Sequence, residues 1–380
     1  MDFRFSEEQE MMRRMARDFA ENEIIPYAQE WDKNNEFPEA TIKKMFDVGL
    51  MTIGIPAEYG GAGLDYVAQN LVVEEIARGD AGLCVTMAAN TLLGPDPVLI
   101  AGTHEQKQWW YGLQNEGVLS AFCLTEPGAG SDAAGISAKC VKDGNDYILN
   151  GTKQFISNGG VAGLYTVFAT LDKKLGSKGI CCFMVDRHTP GISIGPKEDK
   201  LGIRSSNTTS VIFEDVRVPA KNLLGGEGEG FKICMKTLDI SRAMVGAMAT
   251  GVAQAAFEAS VKYAKERVQF GKPIASFQAI QFILADMAQY IQASRLLYLE
   301  ASSKQDMGLP YTAAASLAKC FAGDTAMKVA CDAVQVYGGY GYTKEYPVEK
   351  YFRDAKIMQI FEGTAQVQRI VIAGDVLRSM

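Results

Sequence analysis

The six residues Gly225-Gly226-Glu227-Gly228-Glu229-Gly230 separate two parts of the chain that have different sequence patterns. Glycine fills four of these positions and packs poorly in helices and strands, so we interpret the segment as a linker. After the linker the chain is rich in alanine, methionine and leucine at helical spacing. The stretches 245–265 and 278–304 are therefore predicted to be long amphipathic helices of a bundle.

Before the linker, from about residue 121, the pattern is that of a β domain. Short β-rich runs at 147–149, 166–169 and 180–185 are separated by turn signals such as Asn158-Gly159-Gly160. No helical segments alternate with these runs, so a βαβ domain is not indicated. Upstream of residue 121 helical periodicity returns, and Ser6 is the predicted N-cap of the first helix.

The composition is that of an ordinary globular protein, with 47% apolar and 22% charged residues. The formal net charge of −7 argues against nucleic-acid binding by bulk electrostatics. The sequence has no run of about eighteen apolar residues, so membrane insertion is not predicted. The opening after Met1 is acidic and unlike a secretory signal, and we expect a cytoplasmic protein.

Cysteine and histidine usage narrows the chemistry. The eight cysteines include no CxxC pair, which is typical of buried free thiols in a reducing compartment. Because the chain has only two histidines, we predict neither histidine-based catalysis nor a metal site. Acid–base chemistry must then come from carboxylates, tyrosines or a cofactor.

The glycine clusters do not fit the G-x-G-x-x-G fingerprint of a nicotinamide-binding domain. After Gly128 and Gly130, the third glycine position is occupied by Ala133. The segment Leu124–Asp132 is either a tight turn between strands or a cradle for phosphate or pantetheine groups. The segment Gly338–Tyr342 is likewise either a helix C-cap or a place where a ligand approaches the backbone.

Glu362 stands at the end of an apolar run and is followed by a glycine and a new helix. A glutamate here can simply favour the helix N-terminus through the macrodipole. Alternatively, it is a carboxyl group in an apolar pocket. Burial would then raise its pKa and let it act as a base near neutral pH.

Four motifs in this order resemble the acyl-CoA dehydrogenase family, and the likeness extends over essentially the full length. They are Leu124–Asp132, the segment Glu266–Pro273, Gln335–Gly341, and Arg353-Asp354-Ala355-Lys356 running into Phe361-Glu362-Gly363-Thr364. The sequence is most similar to the short- and medium-chain, butyryl-CoA-type branch. The resemblance implies an α+β, mostly α fold. It has an N-terminal helical domain at 1–120, a middle β-barrel-like domain at 121–230 and a C-terminal four-helix bundle at 231–380.

The resemblance also implies FAD as the cofactor and assigns residues to it. On the chain's own side these are Phe122, Leu124, Thr125, Gly130, Ser131, Phe155, Ile156, Ser157, Thr364 and Gln366. Those that reach the FAD of a neighbouring subunit are Arg267, Gln269, Phe277, Gln278, Gln335, Gly338 and Gly339. The CoA substrate is assigned to Ser131, Asp239, Arg242 and Gly363. Phe155 and Ser157 replace the tryptophan and threonine that are frequent in the family, but they keep an aromatic ring and a hydroxyl.

In this family a glutamate removes the α-proton of an acyl-CoA thioester while the β-hydride passes to flavin N5. Glu362 matches that base. Other branches place the glutamate at the position of Ser241, which leaves Glu362 as the sole candidate here. The resemblance further implies a homotetramer in fatty acid metabolism that passes electrons to an electron-transferring flavoprotein.

Several alternatives remain open at this point. The same residues could serve an enoyl-CoA reductase in an electron-bifurcating complex. An acyl-CoA oxidase, a class of usually longer chains, and a non-catalytic scaffold with the same fold are the others. The acyl group is equally open: Phe361 and the small residues Ala88, Ala89 and Gly94 allow a straight, branched or cyclic chain.

Overall fold

The computed structural model describes residues 4–379, with helices at both ends of the chain and a mixed β-sheet between them. The opening residues Met1–Phe3, on which the localisation expectation partly rests, lie outside this range. The N-terminal helices are α1 (Glu7–Phe19), α2 (Ala28–Asn34), α3 (Glu39–Asp47), α4 (Tyr66–Gly79), α5 (Ala81–Ala88), α6 (Asp96–Ala101) and α7 (His104–Asn115). Ser6 caps α1 in a reciprocal capping box with Gln9, which confirms the predicted N-cap.

The middle of the chain forms one mixed sheet. Its strands are β1 (Ser120–Cys123), β2 (Lys139–Asp143), β3 (Asp146–Ser157), β4 (Leu164–Thr170), β5 (Ile180–Asp186), β6 (Ile192–Ile194), β7 (Thr208–Pro219) and β8 (Leu223–Leu224). The order is β6-β7-β3-β2-β4-β5-β8, and β1 pairs with β4 in parallel. The three runs predicted as strands all lie inside β3, β4 and β5.

The sheet folds over on itself. Strands β2 and β4 meet at a single pair, Lys139 and Thr170. The rings of Tyr147 on β3 and Phe183 on β5 are 5.0 Å apart, although two strands separate them in the sheet. Since neighbouring strands lie about 4.8 Å apart, this contact requires the two halves to face each other. The middle domain is therefore the β domain that the sequence predicts.

The C-terminal part begins with the long helix α8 (Gly230–Glu266), directly after the glycine-rich linker. The elements that follow are β9 (Val268–Gln269), β10 (Lys272–Pro273), α9 (Gln278–Asp306), α10 (Thr312–Tyr337), α11 (Val348–Ile357) and α12 (Ala365–Ser379). Helices α8, α9 and α10 pack against one another, and α12 packs on α10. The two stretches predicted as long helices lie inside α8 and α9, which confirms the helical bundle.

A buried network of charges joins the helical and β parts. Lys350 Nζ on α11 donates to Asp80 Oδ1 and to Asp354 Oδ2, both at 2.6 Å. Asp80 also accepts from the Ser205 hydroxyl of the middle domain, and Asp354 accepts from the Ile203 amide at 2.5 Å. Buried charges are stable only when they are paired in this way. Asp354 of the Arg353–Lys356 motif therefore has a structural role.

Two expectations from composition can be compared with the structure. Among the described residues, the helical stretch Ala81–Ala101 has the length and hydropathy of a membrane span, and 83% of that window is buried inside the protein. The same test is passed by core helices.

All eight cysteines are free, and all except Cys331 are buried, as the spacing predicts.

Candidate active site

Glu362 lies in the turn between α11 and α12, with a backbone φ of 53°. Non-glycine residues seldom adopt this left-handed conformation, and it is concentrated at functional sites. The carboxyl Oε2 is enclosed and has no hydrogen-bond partner within residues 4–379. Burial raises the pKa of Glu362 to about 7, although the Ser241 hydroxyl, Lys319 and Arg242 act to lower it. A carboxyl with such a pKa can accept a proton near neutral pH.

Ser241 thus lies beside Glu362, as the comparison of family branches implies. It is fully buried on α8, and its hydroxyl donates to the Leu238 carbonyl at 3.2 Å. Because residue 241 is a serine, the position that carries the glutamate in other branches of the family has no carboxylate here. Glu362 and Ser241 accordingly occupy two sides of one small site between α8 and the turn after α11.

Lys319 on α10 is a site residue that the sequence does not reveal. Its side chain is fully buried, and Nζ donates to the Gly363 carbonyl at 2.7 Å. Burial lowers the pKa of Lys319 to about 8, and Glu362 counteracts that shift. The available signal is a single lysine inside the small-residue run 313–323 of α10. Lys319 holds the turn that carries Glu362 and supplies a positive charge beside it.

Asp239 and Arg242, both assigned to the CoA substrate, are neighbours one turn apart on α8. Arg242 Nη1 donates to Asp239 Oδ1, and Thr312 donates to Asp239 Oδ2 at 2.8 Å. Arg242 is buried, and its Nε has no hydrogen-bond partner in the described part of the chain. The pair therefore brings one unused donor close to Glu362.

The residues after Glu362 start α12. The Gly363 carbonyl accepts from Gln368 Nε2 at 3.0 Å, as well as from Lys319. Thr364 accepts from the Val367 amide at 3.2 Å and so caps the helix. Thr364 and the exposed Gln366 line a cleft of about 370 Å³ on this side of the protein.

The segment Leu124–Asp132 forms a tight turn after β1. Glu126 and Ala129 exchange backbone hydrogen bonds of 3.0 and 3.1 Å. The Gln154 amide donates to the Thr125 carbonyl at 2.8 Å, which brings the end of β3 alongside the turn. Two groups of predicted FAD residues, Phe122 to Ser131 and Phe155 to Ser157, are thereby placed side by side.

A fully buried ion pair holds this turn from beneath. Lys153 Nζ donates to Glu126 Oε1 at 2.7 Å and to the Leu124 carbonyl at 3.0 Å. Glu126 Oε2 accepts from the Ser137 amide and hydroxyl, and Oε1 also accepts from the Ala138 amide. Burial favours the neutral acid, but Lys153 and these hydrogen bonds outweigh it and lower the pKa of Glu126. Sequence reasoning missed this pair because the two residues lie 27 positions apart.

The outer surface of the turn has room for a ligand. A Cβ built at Gly128 or Gly130 meets no atom within 4 Å, and Ser131 is exposed. Phe155 is 63% exposed, with a left-handed φ of 57° at an irregularity in β3. Ile156 is buried, and Ser157 is half-buried next to it. Open glycines, exposed amides and an uncovered aromatic ring suit a flat, phosphate-bearing cofactor.

A second cleft, of about 530 Å³, lies on the C-terminal helices. It is lined by Arg267, Gln269, Gly338 and Gly339 together with Tyr263, Ile274, Val336, Tyr337, Tyr340 and Thr343. The guanidinium of Arg267 lies over the Tyr340 ring, 5.4 Å from its centre. A Cβ at Gly338 or Gly339 meets no atom within 4 Å. The glycine segment is thus both a helix C-cap and an open surface.

The remaining predicted residues border this second cleft. Phe277 and Gln278 form the start of α9, and Gln335 is exposed in the last turn of α10. Within residues 4–379 no hydrogen bond joins this group to the turn at Leu124–Asp132. The predicted FAD residues at this cleft are therefore separate from those of the turn after β1 and from Thr364 and Gln366, an arrangement that suits contacts with two different FAD molecules.

Known proteins match this chain over essentially its whole length. The family models for acyl-CoA dehydrogenase match in chain order: the N-terminal domain at residues 6–113, the middle domain at 121–216 and the C-terminal domain at 228–377. The acryloyl-CoA reductase (NADH) of Anaerotignum propionicum is 46% identical over 381 residues, covering 100% of this chain and 96% of the relative.

Solved structures of the same family are also closely similar to this chain. Butyryl-CoA dehydrogenase from Megasphaera elsdenii is 44% identical with a TM-score of 0.97, covering 99% of this chain and 100% of that chain. A chain from work on the electron transferring flavoprotein of Acidaminococcus fermentans and flavin-based electron bifurcation is 48% identical. Its TM-score is 0.98, with 100% of both chains covered. This chain therefore belongs to the acyl-CoA dehydrogenase family of FAD-dependent oxidoreductases.

Proposed function

We propose that this protein is an acyl-CoA dehydrogenase in which Glu362 removes the α-proton of the thioester. The observation that carries the proposal is the enclosed Glu362 carboxyl, which has an unpartnered Oε2 and a pKa of about 7. An α-proton is a weak acid, so the base must be desolvated and aimed at it. When bound, FAD supplies the acceptor for the β-hydride.

The chain's own residues prepare the base. The left-handed backbone at Glu362 and the hydrogen bond from Lys319 to Gly363 fix the direction of the carboxyl. Lys319 and Arg242 act to stabilise its ionised form, so that burial does not keep it fully protonated at neutral pH. The amide of Glu362 is the group that would hydrogen-bond the thioester oxygen as negative charge develops there.

The residues that would hold FAD are those of the Leu124–Ser131 turn and of Phe155–Ser157, with Thr364 and Gln366 near the catalytic turn. Arg267, Gln269, Phe277, Gln278, Gln335, Gly338 and Gly339 would contact the FAD of a neighbouring subunit. In support, the two groups are separate on one chain and each contains open glycines. Asp239, Arg242, Ser131 and Gly363 remain the proposed substrate contacts.

We propose a homotetramer for the same reason, since the second group of FAD residues needs another chain. Phe270 at the tip of the β9–β10 hairpin is 93% exposed beside that group. Large exposed aromatic residues are typical of protein interfaces. An electron-transferring flavoprotein is the proposed electron acceptor, because a closely similar chain comes from work on such a flavoprotein.

The substrate class and the setting are also proposals. Similarity to a butyryl-CoA dehydrogenase favours a short acyl chain and a role in fatty acid metabolism. We also propose domain limits of 1–120, 121–230 and 231–380, which lie within one residue of the gaps between α7 and β1 and between β8 and α8. We further propose a cytoplasmic location.

A second candidate is the reverse reaction, reduction of an enoyl-CoA within an electron-bifurcating complex. Its support is the likeness to an acryloyl-CoA reductase and to a chain studied for electron bifurcation. The same Glu362 would then donate the proton.

Anaerobic bleaching of the bound flavin by a panel of saturated acyl-CoA thioesters tests the proposed function. We expect yellow protein with about one FAD per chain, bleached by at least one member of the panel. A colourless protein that cannot be reconstituted with FAD would contradict it. To separate the two directions, the rate of enoyl-CoA reduction by the reduced enzyme is compared with the rate of acyl-CoA oxidation.

A further inference from the structure

A second carboxyl group lies close to Glu362 and has no assigned role. Asp96 is the first residue of α6, and it is only 3% exposed. Its Oδ2 is enclosed and has no hydrogen-bond partner among the residues that the structure describes. A buried polar group without a partner is destabilising, so a role on the substrate side is more reasonable than a structural one.

Helix capping does not account for this carboxyl. Helix α6 has six residues, and no side chain makes a cap hydrogen bond at its start. Pro97, the residue after Asp96, has no amide hydrogen to donate. The macrodipole of so short a helix is weak and does not offset the cost of burying the carboxyl group.

Four groups from different parts of the chain lie within electrostatic range of Asp96. They are Tyr66 on α4, Tyr111 on α7, Tyr311 just before α10, and Glu362. None of the four is a cation. Burial, reinforced by the charge of Glu362, raises the pKa of Asp96 well above its ordinary range. A raised pKa favours the protonated form of Asp96, which can donate one hydrogen bond.

Helix α6 also packs against α8, which carries Ser241 and Arg242. Asp96 lies within electrostatic range of Glu362 and approaches it from the side of the N-terminal domain. A purely hydrocarbon acyl chain would leave its carboxyl unpaired on binding. An acyl chain with an acceptor oxygen would satisfy it.

We propose that Asp96 selects acyl groups that carry an uncharged oxygen, a hydroxyl or a carbonyl, beyond the β-carbon. Asp96 donates its proton as a hydrogen bond to that oxygen. A carboxylate at the same place is disfavoured because it would meet the carboxyl groups of Asp96 and Glu362, and the nearby cations Lys319 and Arg242 already act on Glu362. This inference rests on the proposed dehydrogenase function and specifies its substrate.

The test compares matched thioesters on the holoenzyme. Butyryl-CoA is paired with 4-hydroxybutyryl-CoA, pentanoyl-CoA with 4-oxopentanoyl-CoA, and glutaryl-CoA serves as the charged control. We expect the kcat/KM of the wild type to favour each oxygen-bearing thioester about tenfold, the discrimination given by one buried hydrogen bond. Glutaryl-CoA should be the poorest substrate.

Two variants separate a specific contact from a general loss of structure. Asp96→Asn keeps a donor and should retain most of the preference, whereas Asp96→Leu should reverse it in favour of the hydrocarbon thioesters. Flavin content and Tm establish that each variant is folded. If Asp96→Leu does not fold, the wild-type preference and Asp96→Asn still decide the matter.

The outcomes are distinguishable from failure of the proposed function. If no thioester bleaches the flavin, dehydrogenation itself is wrong. If butyryl-CoA or pentanoyl-CoA bleaches it as fast as its oxygen-bearing partner, only the role of Asp96 is overturned. If the wild type and Asp96→Leu have equal specificity, the role of Asp96 is likewise overturned.

Discussion

Glu126 and Glu362 are both glutamates with enclosed carboxyl groups, but their surroundings give them opposite properties. Glu126 is contacted by a lysine, two backbone amides and a hydroxyl, and its pKa is lowered. Glu362 has an unpartnered Oε2, and its pKa is raised to about 7. Burial alone therefore does not determine what a carboxyl group does.

The difference lies in whether the negative charge is already satisfied. At Glu126 every nearby donor is used within the protein, so the carboxylate fixes the Leu124–Ser131 turn and has no free capacity. At Glu362 the carboxyl retains a free oxygen, so its affinity for a proton is available to a substrate. The first arrangement builds a scaffold and the second prepares a reaction.

The proposed role of Glu362 as the base is tested most directly by Glu362→Gln, which keeps size and hydrogen bonding but removes the base. We expect turnover to fall by about 10²–10⁴, the usual contribution of a general base. Flavin content and Tm should be unchanged, because the carboxyl does not hold the fold together. Anaerobic flavin bleaching by a saturated acyl-CoA measures the effect.

Adding Ser241→Glu to Glu362→Gln is the matched control. Ser241 lies beside Glu362, so a carboxylate placed there should restore part of the activity. Wild-type bleaching by the single variant would mean that the base lies elsewhere. Failure of the double variant to recover any activity would mean that the two side chains do not reach the same α-carbon.

The stabilising role of Glu126 is tested by Lys153→Met, which leaves the Glu126 charge buried and unpaired. Removing one partner of a buried pair costs about 3–5 kcal/mol, so we expect urea unfolding at a clearly lower midpoint and loss of flavin. Lys142→Met, in the exposed pair with Glu227, is the control and should change little. Equal stability of the two variants would show that the buried pair is unimportant.

Arg267 is a half-buried cation whose proposed contact with FAD can be tested in the same way. Its contact with a phosphate-bearing cofactor should contribute about 1.5–3 kcal/mol, so Arg267→Ala is expected to weaken FAD binding and subunit association together. Gel filtration with simultaneous measurement of flavin content tests this. Arg217 is an exposed side chain on β7, so Arg217→Ala should leave both unaltered, and full retention of flavin by Arg267→Ala would refute the assignment.

The smallest expected effect concerns the charge of Lys319. In the wild type the bleaching rate should rise with pH through about 7, because Glu362 must be ionised to accept a proton. Lys319→Gln keeps a donor for the Gly363 carbonyl but removes a charge that stabilises the carboxylate. The inflection should therefore move upward by about one pH unit, and the rate at pH 7 should fall.

Lys328→Met on the same helix is the control, since Lys328 pairs with Asp332. An inflection that does not move in Lys319→Gln would show that Lys319 supports the turn without tuning the base.

Much of this molecule is predictable because its signals are local. The linker Gly225–Gly230, the helical spacing in α8 and α9 and the turn residues between strands all act within a few positions. Glu362 was identified because the sequence around it resembles a family motif. Its environment, by contrast, depends on contacts between α8, α10 and the turn after α11.

The residues that were missed share one property. Lys153, Lys319 and Asp96 are charged side chains whose burial comes from tertiary packing. On the sequence each resembles an ordinary surface residue, because charged residues are rarely buried unless paired. The groups that lie near them in space are far along the chain, and a single sequence gives no measure of that proximity.

The buried lysine Lys350 has a consequence for how this chain can be divided. Its two carboxylate partners lie in the N-terminal and C-terminal helical parts, and those carboxylates also bind Ser205 and Ile203 of the middle domain. Cutting the chain at either domain boundary would leave part of this charge network uncovered in water and unpaired. The three segments that match separate family models are therefore expected to melt as one calorimetric unit. A chimera that exchanges the middle domain alone will be stable only if its loop restores the contacts to Asp80 and Asp354.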